Sequence, residues 1–274
     1  MSADACPATQ AGLAFDTLAE NYDAHFTRSS IGRAQRDAVW RKAVEVFRGK
    51  LSILELNCGT GEDALFFAGL GHRITALDAS HAMIDRASRR KEDEAPDAAV
   101  DFRLLPTEDL GALPSTHFDA VFSNFSGLNC VDDLSEVATQ LARRTAAGAP
   151  ALLCFSTRFC LWESARYLLC GKGRKAVRRW SGHSTAVLNG VNVSVHYPTI
   201  GDIAIAFSPH FTLRSATGIG IFVPPSYLES WMQRFPRALS TLAAADRIAC
   251  HLPVLRALGD HVLLHFLRTA EDAG

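Results

Sequence analysis

The sequence has no excess of charge of one sign. Its 274 residues include 28 Lys and Arg residues against 29 Asp and Glu residues, which gives a formal net charge of -1. A chain with this balance has no overall field that would hold it on nucleic acid or on an anionic membrane. We therefore expect no DNA partner, although a local basic patch can still bind an anion.

Long apolar runs are also missing. The longest, residues 149–155 and 262–267, are far shorter than the roughly 20 residues that a membrane-spanning helix requires. The N-terminal residues contain Asp4 and no basic stretch ahead of an apolar one, so no secretory signal is predicted. The 7 cysteines are scattered and never spaced as C-x-x-C, which favours reduced thiols and a cytoplasmic location. No metal site is predicted.

From residue 51 onward, short apolar runs alternate with amphipathic helical stretches. Strands are predicted at 51–56, 74–78, 100–104, 118–122 and 149–155, with helices at 62–70, 82–90 and 132–144. This alternation predicts an α/β fold with a doubly wound, mostly parallel sheet that helices cover on both faces. Two later strands, within 211–223 and 261–267, would complete a seven-stranded sheet.

The segments outside this core predict a lid and a cap. Amphipathic stretches around residues 15–22 and 33–47 predict an N-terminal helical lid within residues 1–48. Residues 49–274 would then form the α/β domain. After about residue 156 the regular alternation lapses, so we expect an expanded insert of about 157–200 after strand 5 that forms a substrate cap. One domain with an insert is favoured over two domains.

A glycine-rich turn follows the first predicted strand. Gly59 and Gly61 let the backbone approach a ligand closely, and the helix that begins at Glu62 offers free N–H donors. Asp78 ends the next strand, 17 residues beyond Gly61, where its carboxylate can accept hydrogen bonds from two ribose hydroxyls. Turn and acid together predict a nucleoside-containing cofactor at the carboxyl edge of the sheet. The spacing Gly59-x-Gly61-x-x-Ala64 also satisfies a dinucleotide pattern, so it does not separate the two kinds of cofactor.

Acidic residues around the turn favour S-adenosylmethionine (SAM) over NAD. Glu55 lies within the first strand, and Glu62 and Asp63 begin the next helix. The helix dipole stabilises carboxylates at that position, but they would repel a pyrophosphate. Residues 53–63 (ILELNCGTGED) resemble motif I of the class I SAM-dependent methyltransferases, and residues 74–84 (ITALDASHAMI) resemble their second motif.

The resemblance extends over residues 13–156 and is weak beyond them. It implies that SAM binds the chain and leaves as S-adenosylhomocysteine. Glu55 and Gly59 would hold the methionine end and Asp78 the ribose, while Ala79 or Met83 would lie beside the adenine ring. The complete cofactor-binding set predicted in this way is Tyr22, Glu55, Asn57, Cys58, Gly59, Thr60, Gly61, Asp78, Ala79, Met83, Thr107, Glu108, Asn124 and Phe125.

Two positions depart from the family pattern. Asn57 stands where the family usually has its first glycine, which is tolerable if that position does not need a positive φ. Pro106 stands where an adenine-binding Asp often lies, so Glu108 or a backbone N–H near Thr107 would serve instead. The backbone of Asn124, after the fourth strand, would flank the reactive methyl group.

The acceptor needs residues from outside the cofactor half. The sulfonium already activates the methyl group, so the protein must align an acceptor and exclude water. A hydroxyl acceptor benefits from a general base. His25, His196 and Tyr197 are the predicted catalytic residues, and the last two rank first because they end a predicted strand just before a proline. His183 and His210 are further candidates.

These observations predict a SAM-dependent methyltransferase with a small-molecule acceptor, such as a secondary metabolite, methylated on oxygen or nitrogen. The chain would act as a monomer or homodimer. A SAM-binding protein without catalysis, an RNA or protein methylase that uses the basic residues 172–179, and an NAD(P)-dependent oxidoreductase are the alternatives. Residues 123–126 (SNFS) are not the N-P-P-Y type of loop used on DNA bases, so base flipping is not expected.

Overall fold

The protein is described by a computed structural model that covers residues 9–114 and 117–270. Residues 1–8 of the predicted lid segment, and with them Asp4, lie outside these ranges. The strands are β1 (Ser52–Leu56), β2 (Arg73–Asp78), β3 (Val100–Leu104), β4 (Ala120–Ser123), β5 (Pro150–Ser156), β6 (His183–Leu188), β7 (Val191–His196), β8 (Phe211–Ile219) and β9 (His261–Arg268). The α-helices are α1 (Gln10–Asp16), α2 (Ala19–Tyr22), α3 (Ser30–Val46), α4 (Glu62–Gly69), α5 (His81–Glu94), α6 (Leu134–Ala142), α7 (Leu161–Leu169), α8 (Gly173–Ala176), α9 (Ile200–Phe207), α10 (Glu229–Met232) and α11 (Pro236–Ala249).

The seven-stranded sheet has the order β3-β2-β1-β4-β5-β9-β8. The pairs among β1 to β5 are parallel, and β9 runs antiparallel between β5 and β8. The predicted α/β fold with its mostly parallel, seven-stranded sheet is therefore confirmed. The strand order reverses between β1 and β4, and ligands bind at such a switch point, outside the carboxyl ends of the strands.

The central strands are buried on both faces because helices cover both sides of the sheet. Successive side chains of a strand point to opposite faces. Ile53 and Phe122 accordingly belong to the core on the side of α3 and α4, whereas Leu54 and Val121 belong to the core on the side of α6 and α9. All four side chains are completely buried. This double burial explains the continuous apolar runs by which the strands were predicted.

The segment between β5 and α9 contains α7, α8 and the hairpin of β6 and β7. Strand β6 was not predicted, because its residues alternate between exposed and half-buried positions and leave little apolar signal. Strand β7 packs against α1 near the N-terminus. The N-terminal segment and the insert after β5 are thus in contact through α1 and β7.

Helix α1 lies directly on the loop that joins β2 to α5. A Cβ atom on Gly12 would fall 2.3 Å from the carbonyl oxygen of Ala79, so only glycine permits this approach. Asp16, at the end of α1, accepts hydrogen bonds from the Ser80 hydroxyl (2.6 Å) and the Ala82 backbone N–H (2.9 Å). These contacts fix the helix over the carboxyl edge of the sheet. Within the described ranges, no helix is long and apolar enough to cross a membrane.

Candidate active site

The glycine-rich turn between β1 and α4 has the backbone that its residues permit. Asn57, Gly59 and Gly61 have φ angles of 55°, 55° and 78°, in the left-handed region. A Cβ atom on Gly61 would lie 2.8 Å from the Phe102 ring, so this position needs glycine for space as well. The premise that Asn57 occupies a position without positive φ is wrong. Asn tolerates this conformation because its short polar side chain bonds locally, and here the Thr107 hydroxyl donates to Asn57 Oδ1 at 3.3 Å.

Asp78 closes the turn from the end of β2. Its Oδ2 accepts a hydrogen bond from the Gly59 backbone N–H (2.8 Å), and its Oδ1 accepts one from the Ser80 N–H (2.9 Å). Burial raises the pKa of this carboxyl to about 6, although the backbone donors act to lower it. Each carboxylate oxygen can accept more than one hydrogen bond, so both remain able to bind hydroxyl groups.

A cleft with about 610 Å³ of empty space, part of it open to solvent, lies at this edge of the sheet, and we call it the inner cavity. It brings together these residues of the predicted cofactor set: Tyr22, Asn57, Gly59, Asp78, Ala79, Met83, Glu108, Asn124 and Phe125. Its other walls are Thr9, Ala11, Gly12, Phe15, Gly127, Cys130 and Val131, which were not predicted. The role of Gly127 in the wall is visible only in the structure, where a Cβ atom at this position would fall 2.2 Å from the Cβ of Asn57.

The remaining predicted cofactor residues lie beside the inner cavity rather than in its wall: Glu55, Cys58, Thr60, Gly61 and Thr107. Glu55 is 1% exposed, and its Oε2 has no hydrogen-bond partner among the residues that the structure describes. Burial raises the pKa of Glu55 well above its usual value, the Asp63 carboxylate adds to this effect, and Arg36 opposes it. Thr60 donates to Asp23 Oδ1 at 2.7 Å and thereby ties the turn to the N-terminal segment.

A buried polar cluster supports the inner cavity from below. Asp63, in the first turn of α4, accepts hydrogen bonds from Arg36 and from the Trp40 indole. It also accepts one from the Asn124 side-chain amide at 3.1 Å. The amide oxygen of Asn124 in turn accepts from the Phe125 N–H at 3.0 Å. These bonds fix the backbone after β4 at the cavity wall.

The donors and acceptors of the inner cavity fit SAM better than a dinucleotide. Asp78 and Glu108 line it, and no Lys or Arg is among its walls in the described part of the chain. An ammonium and a sulfonium favour such acidic surroundings, whereas a pyrophosphate does not. The unpartnered Oε2 of Glu55 is a second observation, because a buried acceptor without a donor is costly and an ammonium group would satisfy it.

A second, larger cavity of about 1370 Å³ adjoins the first, and we call it the outer cavity. The two share Phe15, Tyr22 and Phe125 as walls. The further walls of the outer cavity come from distant parts of the chain: Thr17, Leu18, Asn21, His25, Phe26, Ser156, Arg178, Arg179, Asn189, Pro225, Ser226, Tyr227, Asp260 and His261. A ligand in the outer cavity would therefore lie next to a ligand in the inner one.

Two arginines of the basic segment 172–179 line this cavity, and one of them is buried. Arg179 is 8% exposed and pairs with Glu163 (2.7 Å) and Asp260 (3.2 Å). Arg178 also pairs with Glu163, which is itself buried. Arg179 is therefore not part of a solvated basic face, whereas Arg178 remains exposed at the mouth of the cavity. Lys172, Arg174 and Lys175 are exposed.

The structure separates the three predicted catalytic residues. His25 lines the outer cavity, with Nδ1 2.8 Å from the Asn21 carbonyl oxygen. His196 lines neither cavity, and its Nε2 lies 2.9 Å from Asp132 Oδ1. Tyr197 is buried, and the Arg179 guanidinium carbon lies 5.2 Å from the centre of the Tyr197 ring. Tyr197 also lines neither cavity. The geometry therefore favours His25 over His196 and Tyr197.

His261 is a cavity residue that the sequence analysis missed. It is the first residue of β9 and pairs with Ser156, the last residue of β5. Because β9 is antiparallel to β5, its beginning lies at the carboxyl edge of the parallel strands. His261 is 8% exposed and its ring centre lies 5.5 Å from that of Phe125, which walls both cavities. The detectable signal was its position at the start of the last predicted strand.

Known proteins resemble this chain in sequence and in fold. Residues 53–148 match a family model described as a methyltransferase domain. This segment is therefore similar to methyltransferase domains, and the surrounding fold is one that SAM-dependent methyltransferases of known structure share. A SAM-dependent methyltransferase from Mesorhizobium loti has the same fold, with a TM-score of 0.57 at 19% identity, over 86% of this chain and 98% of that one.

Curated relatives match about half of this chain. Demethylmenaquinone methyltransferase of Leptospira interrogans is 29% identical over 133 residues, 47% of this chain and 53% of that protein. Malonyl-[acyl-carrier protein] O-methyltransferase of Pseudescherichia vulneris is 30% identical over 130 residues, 47% of each chain. The chain thus spans about half the length of the curated relatives it matches, and their names give different acceptors.

Proposed function

We propose that this chain binds SAM in the inner cavity and transfers its methyl group to oxygen or nitrogen of a small molecule in the outer cavity. The observation that carries the proposal is the junction of the two cavities at Phe15, Tyr22 and Phe125. A methyl donor and its acceptor must meet with their reacting atoms aligned and with water excluded. Adjoining cavities at the switch point of the sheet meet that requirement.

Residues in and beside the inner cavity suit the successive parts of SAM. Asp78 would accept hydrogen bonds from the ribose hydroxyls, and Glu55 would accept one from the methionine ammonium group. Ala79 and Met83 would pack beside the adenine ring. When bound, SAM supplies a methyl group on a positively charged sulfur. The protein then needs to hold, orient and enclose the two ligands.

The N-terminal helices and the insert would enclose the acceptor. Phe15 of α1 and Asn189 of the hairpin turn both line the outer cavity, and Asn189 Nδ2 donates to the Thr17 carbonyl oxygen at 3.2 Å. This contact joins the insert to the N-terminal segment across the cavity. Residues 1–48 would therefore act as a lid and residues 157–200 as a cap, which favours a small acceptor over a macromolecule.

Titration calorimetry with S-adenosylhomocysteine tests the inner cavity. Asp78→Ala removes hydrogen bonds between a charged acceptor and the ribose, which contribute about 1.5–3 kcal/mol. We expect a roughly 10- to 150-fold weaker Kd. Asp93→Ala, at an exposed position of α5, is the matched control and should bind like the wild type. Equal affinity in Asp78→Ala, or binding of NADH in place of S-adenosylhomocysteine, would contradict the proposal.

A methyl-transfer assay tests the outer cavity. SAM with a labelled methyl group is incubated with the wild type and a panel of small hydroxyl and amine compounds. The proposal expects label in at least one compound class and none in RNA. Tight cofactor binding without transfer to any class would favour the non-catalytic alternative. Label in RNA would favour the exposed cations Lys172, Arg174 and Lys175 as a binding surface.

A further inference from the structure

We propose that His261 is the general base of the methyl transfer, that Asp260 positions it, and that the acceptor is an aromatic hydroxyl compound. This inference rests on the proposed function and names the acceptor class of the same site. His261 lies where the two cavities meet, against Phe125. No comparison assigns this residue a role, and it belongs to the half of the chain beyond the matched domain.

Asp260 places a carboxylate beside the imidazole of His261. Its Oδ2 lies 3.5 Å from the buried His261 Nδ1, which makes no hydrogen bond with any described residue. The other oxygen, Oδ1, accepts a hydrogen bond from Arg179 at 3.2 Å, and Arg179 is held in turn by Glu163. A carboxylate on one ring nitrogen leaves the second nitrogen as the proton acceptor, as in other carboxylate–histidine pairs.

The surroundings keep His261 neutral and so able to accept a proton. Burial lowers the pKa of His261, the Asp260 carboxylate opposes this effect, and the Arg179 charge adds to it. Arg178 and, across the cavity, His25, Tyr22 and Tyr227 are the other titratable or charged groups of these walls. Burial raises the pKa of Tyr22 to about 12, so that phenol stays protonated.

The walls of the outer cavity select the acceptor class. Phe15, Tyr22, Phe26, Phe125 and Tyr227 present aromatic rings. The nearby charges cancel, because Arg178 and Arg179 are paired with Glu163 and Asp260. An aromatic lining without net charge favours a flat, neutral acceptor over a phosphorylated one. A neutral imidazole at its end is suited to a hydroxyl that must lose its proton.

The proton balance of the step is simple. His261 takes the proton of the acceptor hydroxyl as the oxygen forms its bond to the methyl carbon. The carbon–sulfur bond breaks, and its electron pair remains on sulfur, which becomes neutral. The imidazolium then releases its proton to water when the product leaves. A positioned base of this kind contributes about 10²- to 10⁴-fold to the rate.

The first experiment uses 4-nitrophenol and the protein without SAM, because the colour of this probe reports its ionisation. We expect the wild type to bind the probe and to ionise it at a lower pH than in free solution. His261→Gln should lose this effect. The matched control is His265→Gln, on the same strand about 13 Å away and in neither cavity wall. Ionisation by His261→Gln equal to that of the wild type would overturn the proposal.

The second experiment tests the positioning role of Asp260 by NMR titration of the His261 imidazole. Because the carboxylate raises the pKa of His261, Asp260→Asn should lower it further. An unchanged or raised pKa in Asp260→Asn would contradict the positioning role. Circular dichroism verifies that each variant is folded.

Binding of S-adenosylhomocysteine separates this inference from the proposed function. His261→Gln should bind it like the wild type while kcat for a phenolic acceptor falls about 100-fold or more. A wild type that fails to bind it would overturn the proposed function and leave the nitrophenol result standing. A variant that binds it and still methylates phenols at the wild-type rate would overturn the role of His261 alone.

Discussion

The inner and outer cavities share three walls but are stabilised by different means. The inner cavity depends on backbone geometry, namely the left-handed residues of the turn after β1 and the N–H groups that Asp78 accepts. The outer cavity depends on buried ion pairs of Arg179, one with Glu163, 16 residues away, and one with Asp260, 81 residues away. Local geometry therefore fixes the inner cavity, and charge pairing between distant segments fixes the outer cavity.

The largest effect is expected when Arg179, the central cation of the outer cavity, is removed, because this change should affect the outer cavity and not the inner one. Arg179→Met keeps most of the buried stem but leaves the carboxylates of Glu163 and Asp260 with one cation fewer. We expect the free energy of unfolding to fall by roughly 3–5 kcal/mol, because breaking one side of a buried ion pair exposes the desolvation cost of the other. Urea denaturation measures this loss.

Arg174→Met is the matched control, since Arg174 is an exposed cation of the same basic segment. Its effect should lie within about 0.5 kcal/mol of zero. Affinity for S-adenosylhomocysteine should survive in folded Arg179→Met, because the inner cavity uses none of these ion pairs. A loss of less than about 1 kcal/mol in Arg179→Met would show that the network does not stabilise the outer cavity.

The next prediction concerns the pH dependence of cofactor binding in the inner cavity. Under the proposed function, the carboxylate form of Asp78 would bind the ribose hydroxyls, and burial raises the pKa of this group to about 6. Below that pH the free protein must lose a proton to bind, so affinity falls as the pH is lowered, by up to about tenfold per unit. Calorimetry with S-adenosylhomocysteine between about pH 7 and pH 5 measures this slope.

Asp78→Asn provides the control for that slope, because its amide does not titrate. Asp78→Asn should bind S-adenosylhomocysteine more weakly than the wild type. The affinity of this variant should also depend less steeply on pH, because the Asp78 contribution is gone. Glu55 acts in the same direction, since its pKa is also raised and an ammonium ligand favours the ionised form. A wild-type affinity that rises on acidification would contradict the assignment of these acids to the ligand.

The same contrast explains what the sequence could predict. Motif I, Asp78 and the fourth strand follow one another within about 70 residues. Each can be recognised from the residues next to it in the sequence. The parallel sheet was likewise readable, because strands buried on both faces leave continuous apolar runs. Local signals therefore specified the fold and most walls of the inner cavity.

The outer cavity could not be predicted in this way. His261 and Ser156 are neighbours only because β9 inserts antiparallel beside β5, and nothing near either residue in the sequence indicates that pairing. In the sequence, Arg179 is one of five basic residues within 172–179, but in the structure it is buried and pairs with Glu163 and Asp260. His196 and Tyr197 ranked first because they end a strand, yet that strand belongs to the separate hairpin.

The smallest expected effect concerns Asn57, where local geometry is tested by itself. Its φ of 55° costs an ordinary L-residue about 1–2 kcal/mol, and less for Asn, whose side chain bonds to Thr107. Asn57→Ala should therefore lower the free energy of unfolding by about 1 kcal/mol, whereas Asn57→Gly should stay close to the wild type. Denaturation curves of the three proteins measure the difference. If alanine were as stable as glycine at this position, the left-handed turn would not be a source of strain, and backbone geometry would not be what fixes the inner cavity.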